Sequence, residues 1–277
     1  MTRMWTVRDA ARALRRPTAD DDKYSRGVLG MRTGSEAYPG AAVLGVEAAW
    51  RTGLGMVRYV GPARPSALVL ARRPETVTVD GRVQAWVVGS GTDAATRGTV
   101  ESEALRALLH ATDPVVVDAG ALDLGAGATA PRILTPHERE HARLRAALGL
   151  GPARASRLAG ARDTAEATGA VVLLKGATTV VTAPDGWAAV VDAGTPWLAT
   201  AGTGDVLAGV IGALVAGAVA DERVTDAASL ASLAASGAWL HGRAAALASH
   251  DAGEGPITAL DVAEALPRAV AEALAAV

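Results

Sequence analysis

Short apolar runs alternate with amphipathic segments along most of the chain. The apolar runs have the length of strands that are buried on both faces, as in a parallel sheet; they cover 28–31, 56–60, 84–88, 114–117, 132–134, 170–174, 180–181 and 187–192. Predicted helices cover 41–50, 101–111, 155–168, 206–215, 227–249 and 260–276. This alternation predicts a three-layer α/β/α fold around a mainly parallel sheet. Two further short elements are expected over 67–71 and 76–79.

The first 22 residues are predicted to form an N-terminal extension with a short surface helix that ends at Pro17, before a single domain over residues 23–277. Arg8 and its neighbouring arginines suggest a transit peptide, but the acidic run 20–22 argues against one. The chain begins with no long apolar block, as a secretory signal would require. Because no uninterrupted apolar run approaches the ~20 residues of a membrane span, we expect a cytoplasmic protein without a membrane partner.

The composition of the chain excludes several kinds of site and partner. The chain has 277 residues, of which 50% are hydrophobic, enough for one sizeable core. Its formal net charge of -2 provides no basic field that would recruit nucleic acid or an anionic membrane surface. Cysteine is absent, which excludes disulfides, thiolate metal sites and cysteine catalysis.

The stretch 199–204 is rich in small residues and leads into the predicted helix over 206–215. Free N–H groups and the dipole at such a helix start favour negative charge, and Gly202 and Gly204 let the backbone approach a phosphate. Asp205 is unusual in a phosphate cradle, so it is either a helix cap or a group that handles a proton. We expect the helix start to keep its carboxylate ionised.

Other strand ends carry further candidates. The strand over 84–88 ends in Gly89-Ser90-Gly91, and a glycine loop after a strand is where open α/β sheets bind ligands. The glycine-rich segment 23–40 has the same layout, although its pattern alone favours a plain surface loop. Lys175 follows a buried strand, where its ammonium group either snorkels to water or awaits a phosphate. Asp118 follows another apolar run and is a candidate helix cap.

Residues 201–209 read Ala-Gly-Thr-Gly-Asp-Val-Leu-Ala-Gly, which resembles the Gly-Thr-Gly-Asp signature of the ribokinase-like superfamily. Gly-Ala at 40–41 and Thr-Pro-His-x-x-Glu at 135–140 narrow the resemblance. Both are similar to motifs of the bacterial ADP-dependent NAD(P)H-hydrate dehydratases, and the likeness covers most of the chain from Lys23 onward. The epimerase module often fused to these enzymes is expected to be absent, because no second domain precedes residue 23.

The resemblance implies an assignment of the site residue by residue. Asp205 is the catalytic base and also contacts the substrate, together with Ala41, Gly91 and His137. The implied nucleotide-binding residues are Lys175, Gly176, Ala177, Thr178, Thr179 and Gly204, and the implied anion hole is Gly202, Thr203 and Gly204. The resemblance also implies ADP as co-substrate with Mg²⁺, the hydrates of NADH and NADPH as substrates, and a homo-oligomer that is a tetramer. No metal ligands are assigned, although Glu140 is a candidate for holding a metal-bound phosphate.

Three places depart from the family pattern: 92–93, Gly120 and 138–139. Two alternative functions stay open, and these departures support the second of them. A small-molecule kinase of the same superfamily, acting on a vitamin precursor or a sugar, would use Asp205 in the same way but stop at the phosphate ester. A nucleotide-binding regulatory protein would have lost catalysis altogether. His241 lies in a Leu-His-Gly segment similar to the family's and is interpreted as a helix-packing residue.

Overall fold

Strands and helices alternate through the computed structural model, which describes residues 2–153 and 156–276. In these ranges one sheet contains β1 (Arg3–Met4), β2 (Val28–Arg32), β3 (Met56–Tyr59), β4 (Ala85–Val88), β5 (Val115–Val117), β6 (Arg132–Leu134), β7 (Val171–Leu174), β8 (Thr179–Thr182) and β9 (Ala188–Val191). The helices are α1 (Val7–Ala11), α2 (Gly40–Thr52), α3 (Ala63–Arg72), α4 (Thr99–Leu109), α5 (Leu122–Gly125), α6 (Glu138–Ala147), α7 (Arg157–Thr168), α8 (Thr203–Ala220), α9 (Ala227–Asp251) and α10 (Ala259–Leu274).

The sheet has the strand order β1-β9-β8-β7-β6-β5-β4-β2-β3. Its neighbouring strands are parallel except where β8 lies between β7 and β9. The mainly parallel sheet predicted from the sequence is therefore confirmed. Because parallel strands point the same way, the loops that follow β2, β4, β5, β6 and β7 all emerge at one edge.

Two helical layers cover the sheet, and alternate strand residues face opposite layers. Leu29, Val87 and Val116 belong to the core beneath α1, α2, α3, α8, α9 and α10. Val88 and Val117 belong to the core beneath α4, α5, α6 and α7. This arrangement explains the continuous apolar runs, because both faces of each central strand are buried.

The beginning of the chain packs into the core that contains Leu29. β1 pairs with β9 at the edge of the sheet. The indole of Trp5 is buried, and its Nε1 donates to Ser236 Oγ at 3.2 Å. The predicted short helix is present as α1, but it ends at Ala11 and not at Pro17, and it is not wholly on the surface because Ala10 and Ala11 are buried. Residues 3–11 thus contribute to the sheet and to one helical layer.

Two local expectations need correction. The segment 76–79 forms no strand; Val77 makes a single bridge with Arg58. A longer helix, α3, replaces the short element expected over 67–71. The predicted start of a helix at residue 155 lies outside the described residues, as do residues 1 and 277.

α8 is the central helix of the fold. It is the one described helix that is long and apolar enough to cross a membrane, yet 72% of it is buried inside the protein. It packs closely on α2, since a Cβ atom added at Gly209 would overlap with the carbonyl oxygen of Gly45. Backbone contact between α2 and α8 therefore fixes the spacing of the two helix starts.

Candidate active site

The loops at the carboxyl edge of the sheet are joined by backbone hydrogen bonds. Gly34 N–H donates to the Ser90 carbonyl at 2.7 Å, which joins the loops after β2 and β4. Lys175 N–H donates to the Pro136 carbonyl at 2.9 Å, which joins the loops after β6 and β7. The predicted site residues of these loops are therefore gathered at one edge, beside the start of α8.

The start of α8 is built on a left-handed glycine. Gly202 is the N-cap residue with φ +90°, and a Cβ there would lie 2.6 Å from Leu44 Cδ1. Thr203 Oγ1 donates to the carbonyls of Leu198 and Thr200, at 3.0 and 2.9 Å, and so fixes the preceding turn. The first N–H groups of a helix have no partners within it, so this turn can present donors to an anion.

Asp205 does not cap α8. The cap position belongs to Gly202, and no side chain makes a capping hydrogen bond there. Burial and the nearby carboxylate of Asp118 raise the pKa of Asp205 to about 7, although the Lys175 ammonium opposes them. The expectation that the helix start keeps this carboxylate ionised is therefore wrong, because burial and like charge outweigh the favourable helix terminus.

The anionic partner of Lys175 is part of the protein. Lys175 Nζ donates to Asp118 Oδ1 at 2.8 Å, and a Cβ added at Gly204 would lie 3.4 Å from the same nitrogen. Burial alone would lower the pKa of Lys175, but the carboxylates of Asp118 and Glu140 raise it above its ordinary value. The ammonium neither snorkels to bulk water nor waits alone for a phosphate.

Asp118 accepts hydrogen bonds from three side chains at this edge of the sheet. Its side chain is buried and makes no cap bond to the turn that follows, contrary to the sequence interpretation. Oδ1 also accepts from Thr135 Oγ1 at 2.8 Å, and Oδ2 accepts from Ser90 Oγ at 2.9 Å. One carboxylate thus connects Lys175 with the loops after β4 and β6.

His137 caps α6. Its Nδ1 accepts from the N–H groups of Arg139 and Glu140, at 3.1 and 3.2 Å, and Glu140 Oε2 accepts from His137 N–H at 2.8 Å. This reciprocal capping box leaves His137 Nε2 3.4 Å from Glu140 Oε1. The family motif therefore has a structural role in addition to any role toward a ligand.

A cavity of about 760 Å³ opens beside the α8 start. Predicted residues that line it are His137, Lys175, Gly176, Ala177, Thr179, Thr203 and Gly204. Ala199 and Thr200 of the small-residue stretch 199–204 line it as well, whereas sequence reasoning missed the contribution of residues 191–196, Leu198 and one face of α9. Their mostly small and apolar residues, Ala238 and Gly242 on α9 among them, suit the flat face of a nucleobase. Asp205 and Thr178 belong to adjacent segments but not to this lining.

Ala41 and Gly91 are in contact with each other at the start of α2. Gly91 has φ +67°, and a Cβ there would overlap with Ala41 Cβ. A Cβ added at Gly45, one turn further along α2, would lie 3.4 Å from the Asp205 carbonyl oxygen. The predicted substrate residues Ala41 and Gly91 are thus brought together near Asp205, whereas His137 lies with the cavity residues.

Two of the departures from the family pattern are in contact with each other. A Cβ at Gly120 would overlap with the Thr92 carbonyl oxygen, so the loop after β4 occupies the space of a side chain at position 120. The Arg97 guanidinium donates to the Gly120 carbonyl and pairs with Asp123 at 2.7 Å. The loop after β4 and the turn after β5 therefore pack directly on each other at these altered residues.

His241 is more than a packing residue. It is 8% exposed and lines the cavity, and within the described ranges its Nε2 has no hydrogen-bond partner. Burial lowers the pKa of His241 to about 4, so the imidazole is neutral at pH 7. The Leu-His-Gly segment was the available signal, but its pattern alone could not show an unpaired nitrogen.

Arg157 holds the turn between β7 and β8 from behind. Its guanidinium donates to the carbonyls of Lys175 and Thr178, at 2.8 and 2.6 Å, and pairs with Glu138 at 2.9 Å. Any side chain at Gly176 would meet this guanidinium, with a Cβ 2.6 Å from Nη2. Nothing in the sequence indicated this role, because Arg157 is 18 residues from Lys175.

The chain is similar to known proteins over most of its length. Over residues 29–268 the chain matches the family described as NAD(P)H-hydrate dehydratase. The bifunctional NAD(P)H-hydrate repair enzyme Nnr of Mycobacterium tuberculosis is 48% identical over 215 residues, which are 72% of this chain and 43% of that protein. The ADP-dependent (S)-NAD(P)H-hydrate dehydratase of Neisseria meningitidis serogroup B is 38% identical over 256 residues, covering 84% and 81%. The chain spans about half the length of the bifunctional relatives it matches.

A solved structure extends the similarity to the whole fold. The ADP/ATP-dependent NAD(P)H-hydrate dehydratase of Bacillus subtilis, co-crystallized with ATP and Mg²⁺, has a TM-score of 0.82 at 26% identity. The match covers 98% of this chain and 99% of that one. The ribokinase-like α/β/α architecture predicted from the sequence is therefore confirmed.

Proposed function

The chain belongs to the NAD(P)H-hydrate dehydratase family, and from this membership we propose that it restores NADH and NADPH from their hydrates, using ADP and releasing AMP and phosphate. The observation that carries the proposal is the position of Asp205. It lies at the start of α8, directly after Gly204, which lines the nucleotide-sized cavity, and its backbone meets Gly45 of α2, the helix that carries Ala41. The proposed domain is residues 23–277, with residues 3–11 packed on it.

ADP is assigned to the cavity. The turn over 175–179 would hold the phosphates, and Gly204 at the start of α8 lies next to the Lys175 ammonium in the lining of this cavity. A lysine and a helix start are both suited to phosphate oxygens. The small residues of α9 would receive the adenosine.

The hydrate is assigned to the side of Asp205 that carries Ala41 and Gly91. His137 would reach this substrate through its Nε2, because Nδ1 is engaged in capping α6. The hydroxyl to be removed would then lie between Asp205 and the terminal phosphate of ADP. Such an order of groups is what direct phosphoryl transfer requires.

Two steps follow from this arrangement. The ionised Asp205 accepts the proton of the hydrate hydroxyl as the oxygen attacks the β-phosphorus of ADP, and the bond from that phosphorus to the bridging oxygen breaks to release AMP. N–H groups of Gly202, Thr203 and Gly204 stabilise the charge on the transferring group. Phosphate then leaves as the ring nitrogen donates its lone pair, and loss of a proton from the neighbouring carbon restores the double bond.

Mg²⁺ is proposed to arrive with the nucleotide. In the described ranges no cluster of three His, Cys, Asp or Glu side chains could hold a metal. Asp118 is engaged by Lys175 and two hydroxyls, which leaves Glu140, 3.9 Å from Lys175 Nζ, as the carboxylate beside the phosphates. This set fits an ion held mainly by phosphate oxygens with one or two carboxylates. The ion would neutralise phosphate charge.

The proposal includes a cytoplasmic location and a homo-oligomer, which is a tetramer if this chain follows the family resemblance. No nucleic-acid or membrane partner is included, because the net charge of -2 offers no attraction for polyanions. The apolar sequence of α8 is explained by its burial in the core, which supports leaving out a membrane partner.

The proposal is tested by incubating the protein with NADH hydrate and ADP and following the absorbance of reduced nicotinamide. We expect AMP and phosphate in equal amounts, and kcat/KM that rises with pH to about 7 and then levels, because Asp205 must be ionised. Asp205→Asn should lower kcat by roughly 10²-fold or more, since the amide cannot take the proton.

Three other outcomes would contradict it. A stable phosphate ester with a different alcohol would identify a kinase. Nucleotide binding without turnover would identify a regulatory protein. Near-normal kcat in Asp205→Asn would remove the catalytic assignment while leaving the family membership intact.

A further inference from the structure

The Lys175 ammonium lies among three carboxylates that compete for it. Asp118 Oδ1 is 2.8 Å away and Glu140 Oε2 is 3.9 Å away. Asp205 is the third, one residue beyond Gly204, whose added Cβ would lie 3.4 Å from Nζ. An ammonium has three donors but forms its strongest ion pair at the shortest distance. The strongest ion pair of Lys175 is therefore the one with Asp118.

The hydrogen bonds of Asp118 explain why Lys175 pairs with this carboxylate and not with that of Asp205. Thr135 Oγ1 and Ser90 Oγ each donate to it, so both carboxylate oxygens are held in place by hydroxyl groups as well as by Lys175. Asp118 is 2% exposed, and its carboxylate accepts hydrogen bonds from three side chains, those of Thr135, Ser90 and Lys175. Among the described residues, no side chain donates a hydrogen bond to the Asp205 carboxylate, which lies half-buried at the start of α8.

We propose that Asp118 is a positioning residue for the reaction: it holds the Lys175 ammonium on the nucleotide side and keeps Asp205 free to accept a proton. Asp118 lines neither the cavity nor the contact of Ala41 with Gly91, so it acts through Lys175 and through the Ser90 loop. The inference rests on the proposed function for its catalytic meaning. The ion-pair preference itself does not depend on that function.

The charges around Asp205 agree with this role. Asp118 comes from the end of β5, Lys175 from β7, Glu140 from α6 and the neutral His241 from α9, whereas α2 and α10 present Leu44 and Ala259 to the start of α8. Burial first and Asp118 second raise the pKa of Asp205 to about 7. A base with a pKa near the working pH transfers protons most efficiently. Without Asp118, Lys175 would pair with Asp205 and make it a weaker base.

The decisive variant is Asp118→Asn, which keeps the size and an acceptor oxygen but removes the charge. Its control is Asp113→Asn, which removes the same charge just before the other end of β5. In profiles of kcat/KM against pH, the rising limb of Asp118→Asn should move roughly one unit to lower pH, as expected when a like charge is lost. The rising limb of kcat/KM in Asp113→Asn should lie at the same pH as in the unaltered protein.

A second measurement works even if the protein shows no turnover. The carboxyl carbon of Asp205, labelled with ¹³C and assigned by its loss in Asp205→Asn, reports the titration directly. Its midpoint should fall in Asp118→Asn and rise in Lys175→Met, which removes the one nearby cation. If Asp118→Asn is poorly folded, the rise expected in Lys175→Met decides the matter alone, because that variant removes the cation that Asp118 is proposed to hold.

Failure has a distinct signature for each claim. Absence of turnover in the unaltered protein would reject the dehydratase and leave the titration to decide the role of Asp118. An Asp205 midpoint that is unmoved in both Asp118→Asn and Lys175→Met would overturn the inference. So would equal shifts in Asp118→Asn and Asp113→Asn, since the effect would then be a general loss of negative charge.

Discussion

His137 has two separable roles in the proposed site. Nδ1 accepts the two N–H groups that cap α6, whereas Nε2 is the nitrogen that could reach a substrate. Asparagine caps helices well and is shorter than histidine, so His137→Asn should still cap α6 but should no longer contact the hydrate. We expect about a tenfold higher KM for the hydrate in His137→Asn and His137→Ala, on the order of one lost hydrogen bond.

The two variants should differ in stability. His137→Ala should lose about 1 kcal/mol of unfolding free energy, while His137→Asn should stay within half of that. Denaturant titration and ADP calorimetry check the pair, and ADP affinity should be unchanged in both. Loss of ADP binding with normal KM for the hydrate would mean that the two subsites are exchanged.

Single residues were predicted from sequence where a motif surrounds them and missed where the partner is distant along the chain. Lys175 was recognised because a lysine at the end of a buried strand needs an anion. Its partner Asp118 lies 57 residues earlier, and the two meet only through the order of strands in the sheet. The pKa of Asp205 was misjudged for the same reason, since its burial and its charged neighbours depend on the tertiary structure.

At the scale of elements, the turn over 175–178 depends on α7. Arg157 binds two of its carbonyls, so Arg157→Ala should leave the phosphate-binding turn less ordered. We expect the Kd for ADP to rise about five- to tenfold, near 1 kcal/mol, because the ordering entropy is then paid on binding. Isothermal calorimetry measures this change.

The matched control is Arg162→Ala, because Arg162 of the same helix reaches Thr2 and not the turn. ADP affinity should be unaltered in Arg162→Ala. Equal weakening in the two variants would show that α7 acts through general stability and that the turn is not held by Arg157.

Elements were predictable wherever the core imposes a period. The central strands and the long helices were found because burial on one or two faces leaves an apolar pattern. β1 has two exposed residues, Arg3 and Met4, and is defined only by its pairing with β9. The walls of the cavity at 191–200 follow no period at all, since they are shaped by the approach of α9.

For the whole molecule, a buried ion cluster links α2 with the helices around it. Glu47 on α2 has no exposed side-chain surface and pairs with Arg51, Arg72 and Arg73, at 2.5 to 3.2 Å. Burial opposes ionisation, but these three guanidinium groups lower the pKa of Glu47 to about 2. Arg72 also pairs with Glu264 on α10 at 2.8 Å, so one cluster connects three helices.

This cluster should govern acid unfolding. A carboxylate with a lowered pKa stabilises the fold fully above its unfolded value of 4.5, and this contribution is lost as the pH falls toward 2. Glu47→Gln should therefore cost about 2 kcal/mol of unfolding free energy at pH 7 and flatten the decline between pH 4.5 and 2. Denaturant titrations at several pH values measure both effects.

Glu264→Gln is the control, because that carboxylate is half-exposed and pairs with only one of the same arginines. Its cost should stay below about 1 kcal/mol, the usual range for an exposed pair. A parallel decline of Glu47→Gln and the unaltered protein through the acid range would contradict the assignment to Glu47.

The contact between Gly45 and Gly209 has a consequence for how this protein could change over evolution. Because backbone touches backbone there, no side chain can be enlarged or trimmed to adjust the gap between α2 and α8. New substrates would have to be accommodated by the loops that surround Ala41 and Gly91, while the placement of Asp205 is inherited unchanged. The two glycines thus separate the part of the site that can diversify from the part that cannot.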